Sequence, residues 1–312
     1  MGRIRVLSDQ VANKIAAGEV VERPASVVKE LLENSLDAGA TRVRIEVENG
    51  GRRLIRIVDD GCGMLRDDAL LAFERHATSK LRDVKDLLSI STLGFRGEAL
   101  PSIAAVSRLL LETRSVEEST GLRVEIAGGK LLRADETALA PGTSITVRDL
   151  FFNVPARKKF LRTEPTELAH IASLVTHYSL AHPDKTFGLW NAAVELLNVT
   201  PVATLRERVY QVFGSQVLDE LVELGKLERR LLLPAVAPAP AEAMAEYRRE
   251  SAGPPLEDEP RFPVPEPTSR TYRLNGFVSR PQVQKGNRNS IFIFVFREWV
   301  FRVHTQSWLI KK

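Results

Sequence analysis

Apolar residues recur at helical spacing early in the chain. Residues 24–38 read PASVVKELLENSLDA, with Val28, Leu31, Leu32 and Leu36 supplying an apolar stripe. Pro24 stands at a first-turn position and Gly39 follows the last periodic residue, so start and stop signals predict a helix over 24–38. Residues 42–48 (RVRIEVE) switch to strict alternation, turn through Asn49-Gly50-Gly51 and resume at 53–58 (RLIRIV), which predicts a β-hairpin. A second hairpin is expected from 121–127 through Gly128-Gly129 into 130–134, and a strand at 143–148. Helical length and periodicity return at 164–181, followed by a pair of short strands at 186–197 and a helix at 204–213. Further strands are expected near 218–233, at 271–279 and at 290–301. This mixture predicts an α+β sandwich, a mixed or antiparallel sheet with helices on one face.

Composition adds a boundary. Nine of the 17 prolines fall between Pro234 and Arg270, where neither a helix nor a central strand can run. That stretch carries seven acidic and four basic residues, so its net charge of −3 leaves +7 on the rest of a chain whose total is +4. It reads as an extended insertion, a passive loop more than a partner-binding segment. A length of 312 residues fits two domains of about 150 residues each. No apolar run approaches the ~18 residues of a membrane span, and MGRIRVLSDQ lacks the apolar core of a secretory signal. One cysteine, Cys62, cannot form an internal disulfide, which fits a reducing, cytoplasmic location.

Four short motifs could carry chemistry. In the first helix Glu30 and Asn34 are four residues apart and share a face, with Glu33 and Asp37 nearby. A carboxylate and a carboxamide one turn apart can orient water and give oxygen to a hard cation. Asp59-Asp60-Gly61-Cys62-Gly63-Met64 follows an apolar strand, where an aspartate can accept from an amino group and the glycines allow close backbone approach. Arg75-His76-Ala77-Thr78-Ser79-Lys80 and Leu93–Leu100 (LGFRGEAL) supply hydroxyl and ammonium donors and a turn feeding the apolar pattern at 99–106. Pro141-Gly142-Thr143 places a hydroxyl at a strand start. Taken singly, these read more readily as solvated helix faces, glycine-rich turns and polar loops; the four together and in order carry more. No Walker-type lysine loop or dinucleotide fingerprint occurs, and His76, His170, His177, His182 and His304 lack zinc-ligand spacing.

The ordered set EXXXN, DXGXG, GFRGEAL and GT resembles the GHKL ATPase superfamily, which includes gyrase B subunits, ninety-kilodalton heat-shock chaperones, sensor histidine kinases and MutL mismatch-repair proteins. IAAGEVVERPASVVKELLENSLDAGAT (15–41), RHATSK (75–80), LGFRGEAL (93–100) and NVPARKKFL (153–161) resemble the MutL group in particular, and RHATSK and NVPARKKFL argue against a chaperone or a gyrase. The likeness covers most of 1–213, weakens through 214–233, vanishes in the insertion and returns loosely at 271–312.

The resemblance implies an ATPase domain at 1–204. A smaller α/β transducer of ribosomal-protein-like fold would follow at 205–312, interrupted at 234–270, with the family's C-terminal dimerisation region absent. It implies ATP and Mg²⁺ as ligands, with Glu30 as the general base and Asn34 holding Mg²⁺. Asp59 would accept from the adenine amino group, helped by Thr143, Gly61 and Gly63, with Asp37 also in the nucleotide site. Thr78, Ser79 and Lys80, with Gly94, Phe95, Arg96, Gly97, Glu98, Ala99 and Leu100, would form a lid over the phosphates. Slow hydrolysis, lid closure and homodimerisation on ATP would signal between a mismatch-recognition protein and a downstream nuclease or helicase. DNA would bind through Arg157, Lys158, Lys159 and Arg162 and through Arg280, Lys285 and Arg288; on charge alone these clusters read equally as solvated surface. The chain departs from the family at Phe296-Arg297-Glu298, where Asn-Gly-Arg is usual, and has no lysine in register for the γ-phosphate; Lys285, Lys311 and Lys312 are the nearest. The alternative is therefore a nucleotide-binding interaction module with little or no hydrolysis.

Overall fold

A computed structural model of the chain describes residues 14, 17–74, 77, 93, 97–233, 268–283, 294–297 and 299–302. They divide into two compact units, one drawn from Met1–Leu218 with Lys285–Lys312 and one from Asp219–Gln284.

The larger unit is built on helix α1 (Pro24–Asp37). Pro24 occupies the first turn behind an extended Arg23. At the other end Gly39 adopts φ +74, with Gly39 N donating to Leu36 O and Ala40 N to Ser35 O, the paired bonds of a Schellman stop. Val27, Val28, Leu31 and Leu32 are at most 2% exposed. Burying each such side chain contributes about 1.5–3 kcal/mol. They face the sheet formed by β1 (Arg42–Glu48), β2 (Leu54–Asp59), β3 (Arg108–Arg114), β4 (Gly121–Ala127), β5 (Lys130–Thr137), β6 (Gly142–Arg148), β7 (Thr186–Asn191) and β8 (Val194–Val199). The strand order is β5-β4-β3-β6-β2-β1-β7-β8, antiparallel throughout except for the parallel β1–β7 pair.

Alternation decides which face is covered. Val43, Ile45 and Val47, Leu109 and Leu111, and Leu122, Val124 and Ile126 point into one core with α1 and α5 (Glu164–Ala181). The opposite face carries charge: Arg44 pairs with Glu46 two residues on along β1 and lies 4.2 Å from the Trp190 ring centroid of β7, Arg56 of β2 pairs with the same Glu46 across the strands, and Arg123 pairs with Glu125 along β4. The expected α+β sheet with helices on one face is what the structure contains. Two shorter helices, α2 (Arg66–Leu71) and α3 (Ala99–Ala105), follow β2 and precede β3; α4 (Pro155–Phe160) precedes α5.

Several boundaries differ from the expected ones, each for a physical reason. Residues 49–51 form a 3-10 turn, with Asn49, Gly50 and Gly51 all at positive φ; a Cβ on Gly50 would lie 2.8 Å from Glu164 O. Strand β5 runs to Thr137, beyond the expected 134. It is an exposed edge whose pairing with β4, not an apolar pattern, sets its length. Helix α6 (Leu205–Asp219) passes the expected end at 213, but Gly214 at φ +79 breaks its geometry there, so the glycine still acts as punctuation. The run expected as strand at 290–301 contains two four-residue strands, β13 (Phe294–Arg297) and β14 (Trp299–Arg302), paired antiparallel with each other, so the chain folds back where one continuous strand was expected.

The smaller unit contains two antiparallel pairs: β9 (Leu221–Glu223) with β12 (Phe277–Ser279), and β10 (Leu227–Leu233) with β11 (Thr268–Leu274). Among the described residues no helix is long and apolar enough to cross a membrane.

Candidate functional site

Strand β2 delivers Asp59 to the end of the sheet opposite the second half of α1. Its Oδ2 accepts from Ser35 Oγ at 2.7 Å and its Oδ1 from Gly61 N at 3.0 Å. Burial pushes the Asp59 carboxyl above the usual range, against the bonds from Ser35, Gly61 and the Thr143 amide. Asp60, next in sequence, has a different task. Its partial burial is outweighed by bonds from the Thr41 hydroxyl and the Arg42 and Thr41 amides, which hold its carboxyl below the usual range. Asp60 ties the start of β1; Asp59 is the carboxylate that is available to a ligand.

The register pairs Asp59 with Thr143 on β6, and Thr143 with Thr113 on β3. Thr113 Oγ1 lies 3.0 Å from Thr143 Oγ1 and 3.1 Å from Gly142 O, and accepts from Met64 N at 3.0 Å. Asp59, Gly61, Gly63 and Thr143 are thus brought together at the strand ends. Ser35 and Thr113 complete the group, and sequence reasoning missed both. Ser35 had one available signal, its place directly after Asn34 on the motif helix. Thr113 had none, because its role depends on strand register.

Glycine is required at Gly63. It holds φ +69, and a Cβ there would lie 2.0 Å from Arg114 O, a backbone atom that cannot step aside. Gly63→Ala is therefore expected to cost upward of about 2 kcal/mol through strain and overlap. Chemical denaturation checks this, and a midpoint equal to that of the unsubstituted protein would contradict it.

On α1, Glu30, Asn34 and Asp37 follow one another at helical spacing, while Glu33 turns away. Glu33 is 7% exposed; it accepts from the Tyr178 hydroxyl of α5 and pairs with Lys29 Nζ at 2.9 Å. Burial pushes its carboxyl up, against the pull of Tyr178 and Lys29. The same Lys29 Nζ lies 3.2 Å from Glu30 Oε1. Burial draws the Lys29 ammonium down, but Glu33 and Glu30 outweigh it and leave its proton held more tightly than usual. Asp37 Oδ1 accepts from Leu93 N at 2.9 Å, which ties the beginning of the LGFRGEAL motif to the end of α1.

Gly97, at φ +63, stands against Ala77, whose carbonyl oxygen would be 2.3 Å from a Cβ. The RHATSK and LGFRGEAL motifs therefore meet at these two residues. Glu98 precedes α3, and Ala99 and Leu100 begin it. Thr78, Ser79, Lys80, Gly94, Phe95 and Arg96 lie outside the described residues, as do Lys285 and Arg288. Of the basic cluster, Lys158, Lys159 and Arg162 are exposed. Arg157 is half-buried with its guanidinium against Gly18. Arg280 is exposed, with Nε donating to Asp219 O at 3.0 Å. Cys62 is free and exposed.

The arrangement offers a desolvated carboxylate acceptor for an amino group, glycine backbone for close approach, and a carboxylate and carboxamide one turn away. Among the described residues no group of three His, Cys, Asp or Glu could hold a metal ion unaided. A cation here would need oxygen from a ligand and water, the mode Mg²⁺ prefers with phosphates, and the Asn34 carboxamide suits it.

Known proteins share this pattern. The family described as histidine kinase-, DNA gyrase B-, and HSP90-like ATPase matches residues 22–137. The DNA mismatch repair protein MutL of Solibacter usitatus is 76% identical over 295 residues, covering 95% of this chain and 43% of that protein. The MutL of Koribacter versatilis is 61% identical over 298 residues, covering 95% of this chain and 44% of that protein. The chain thus spans less than half the length of these relatives. The solved Aquifex aeolicus MutL ATPase domain complexed with ADP is 32% identical at a TM-score of 0.52, covering 74% of this chain and 88% of that one. The N-terminal domain of a DNA repair protein shares the fold at a TM-score of 0.67 and 22% identity, covering 90% of this chain and 75% of that one.

Proposed function

Because this chain belongs to the MutL family of DNA mismatch repair proteins and carries its GHKL ATPase domain, we propose that it binds ATP with Mg²⁺ and hydrolyses it slowly. The observation that carries this reading is the Asp59 carboxylate, desolvated and oriented by Ser35 and Gly61, one helix face away from Glu30 and Asn34. Asp59 accepts from the adenine amino group, with Thr143 and the backbone at Gly61 and Gly63 beside it. Glu30 orients and deprotonates the attacking water. Asn34 offers oxygen to the metal, and Asp37 fixes the start of the lid through Leu93. Mg²⁺, when bound, would neutralise phosphate charge; little covalent chemistry is then asked of the protein. That a relative was solved with ADP supports the nucleotide assignment.

In this reading residues 1–204 act as the ATPase domain and 205–312 as the transducer, with 234–270 an insertion in it. Thr78, Ser79, Lys80 and the 94–100 loop close over the phosphates, and closure brings two N-terminal regions together. The closed dimer signals from a mismatch-recognition protein to a downstream nuclease or helicase. Equilibrium ATP binding run beside single-turnover hydrolysis tests the core of this: both are expected, and binding without turnover would make the chain an interaction module instead.

DNA is the proposed partner of the exposed Lys158, Lys159 and Arg162. Binding should weaken with salt, and the Lys158→Glu/Lys159→Glu double variant should reduce the log–log salt slope by about two. Salt-independent binding, or an unchanged slope in that variant, would contradict phosphate contacts.

A further inference from the structure

Glu30 has one side-chain hydrogen-bonding partner among the described residues, Lys29 Nζ at 3.2 Å, and its side chain is 26% exposed. A base that must hold a water in line needs more orientation than an open helix face gives it. Lys29 is itself fixed from the far side: Nζ lies 2.9 Å from Glu33 Oε2, and Glu33 is anchored by the Tyr178 hydroxyl from α5. Glu33 is buried and cannot leave this arrangement without stranding a carboxylate between two helices.

We propose that Lys29, Glu33 and Tyr178 form a positioning set that holds the Glu30 carboxylate in its working orientation, so that the packing of α5 against α1 governs the hydrolytic step. This rests on Glu30 being the general base. Lys29 acts through Glu30, and Tyr178 acts through Glu33 and Lys29; none of the three needs to touch nucleotide. The set therefore belongs to turnover and not to affinity.

The test uses the 312-residue chain, with single-turnover ATP hydrolysis measured beside ADP binding. Lys29→Met should slow hydrolysis about tenfold or more while ADP affinity stays within about twofold, and Lys29→Arg should recover most of the rate. Tyr178→Phe keeps the ring and removes only the hydroxyl, so the fold is retained; it should slow hydrolysis several-fold, again without loss of ADP affinity. Combined with Lys29→Met, it should add nothing further, because both act along one line. An unchanged or faster rate in folded Lys29→Met, a parallel loss of ADP affinity, or additive effects in the double variant would overturn the proposal. Glu30→Gln separates the two claims. If Glu30→Gln abolishes turnover while Lys29→Met leaves it intact, only the positioning set fails. If Glu30→Gln still turns over, or the unsubstituted chain does not, the base assignment fails as well.

Discussion

Glu30→Gln is expected to lower single-turnover ATP hydrolysis by about 10²- to 10⁴-fold, the usual contribution of a positioned general base. ATP affinity should stay within about threefold, since the amide keeps the size and much of the polarity of the carboxylate. The split follows from geometry. Glu30 lies on α1 with Asn34 one turn on, whereas Asp59, the proposed adenine acceptor, lies at the end of β2. A variant that loses binding and hydrolysis in parallel would show that Glu30 holds nucleotide and does not activate water.

Asp59→Asn should produce the opposite split, weakening ATP binding by about 10- to 100-fold, as expected for losing a charged hydrogen-bond acceptor in a desolvated site. It also predicts a pH signature. Burial raises the Asp59 pKa, so in the ligand-free fold the carboxyl contributes stability at low pH that is lost as pH rises through its raised value. The amino group of adenine needs the ionised form, so ATP affinity should fall as pH drops through that raised value, above the ordinary aspartate range. The Asn variant should lack this acid-side fall. Isothermal titration over a pH series measures both. An identical pH dependence in the variant would assign it to another group.

The sequence made some of this legible and hid the rest for physical reasons. Helix α1 and the β1–β2 hairpin could be read because each buries one stripe or one face, and periodicity reports that directly. Glu30, Asn34, Asp59 and Thr143 were legible because their spacing within short motifs survives without knowledge of the fold. Ser35 to Asp59 spans 24 residues, Thr113 to Thr143 spans 30, and Tyr178 to Glu33 spans 145. No local pattern encodes these contacts; they arise from strand register and from α5 packing on α1. Glu33 shows the limit most plainly. Read on the helix, it is another polar residue beside Glu30, yet the structure buries it against Tyr178 and gives it a separate task. Asp59 and Asp60 are likewise adjacent carboxylates, and only Thr41 and Arg42 reveal which one is already committed to the fold.

In the proposed function the Ser35–Asp59–Gly61 group receives the base of ATP while Glu30 and Asn34 face its phosphates. A crystal structure of the chain with a non-hydrolysable ATP analogue and Mg²⁺ tests it most directly. The expected structure has the adenine amino nitrogen within hydrogen-bonding distance of an Asp59 carboxylate oxygen, the Asn34 amide oxygen on the metal and the Glu30 carboxylate beside the γ-phosphate. An analogue seated elsewhere, or one whose base avoids Asp59 while its phosphates lie away from α1, would contradict it.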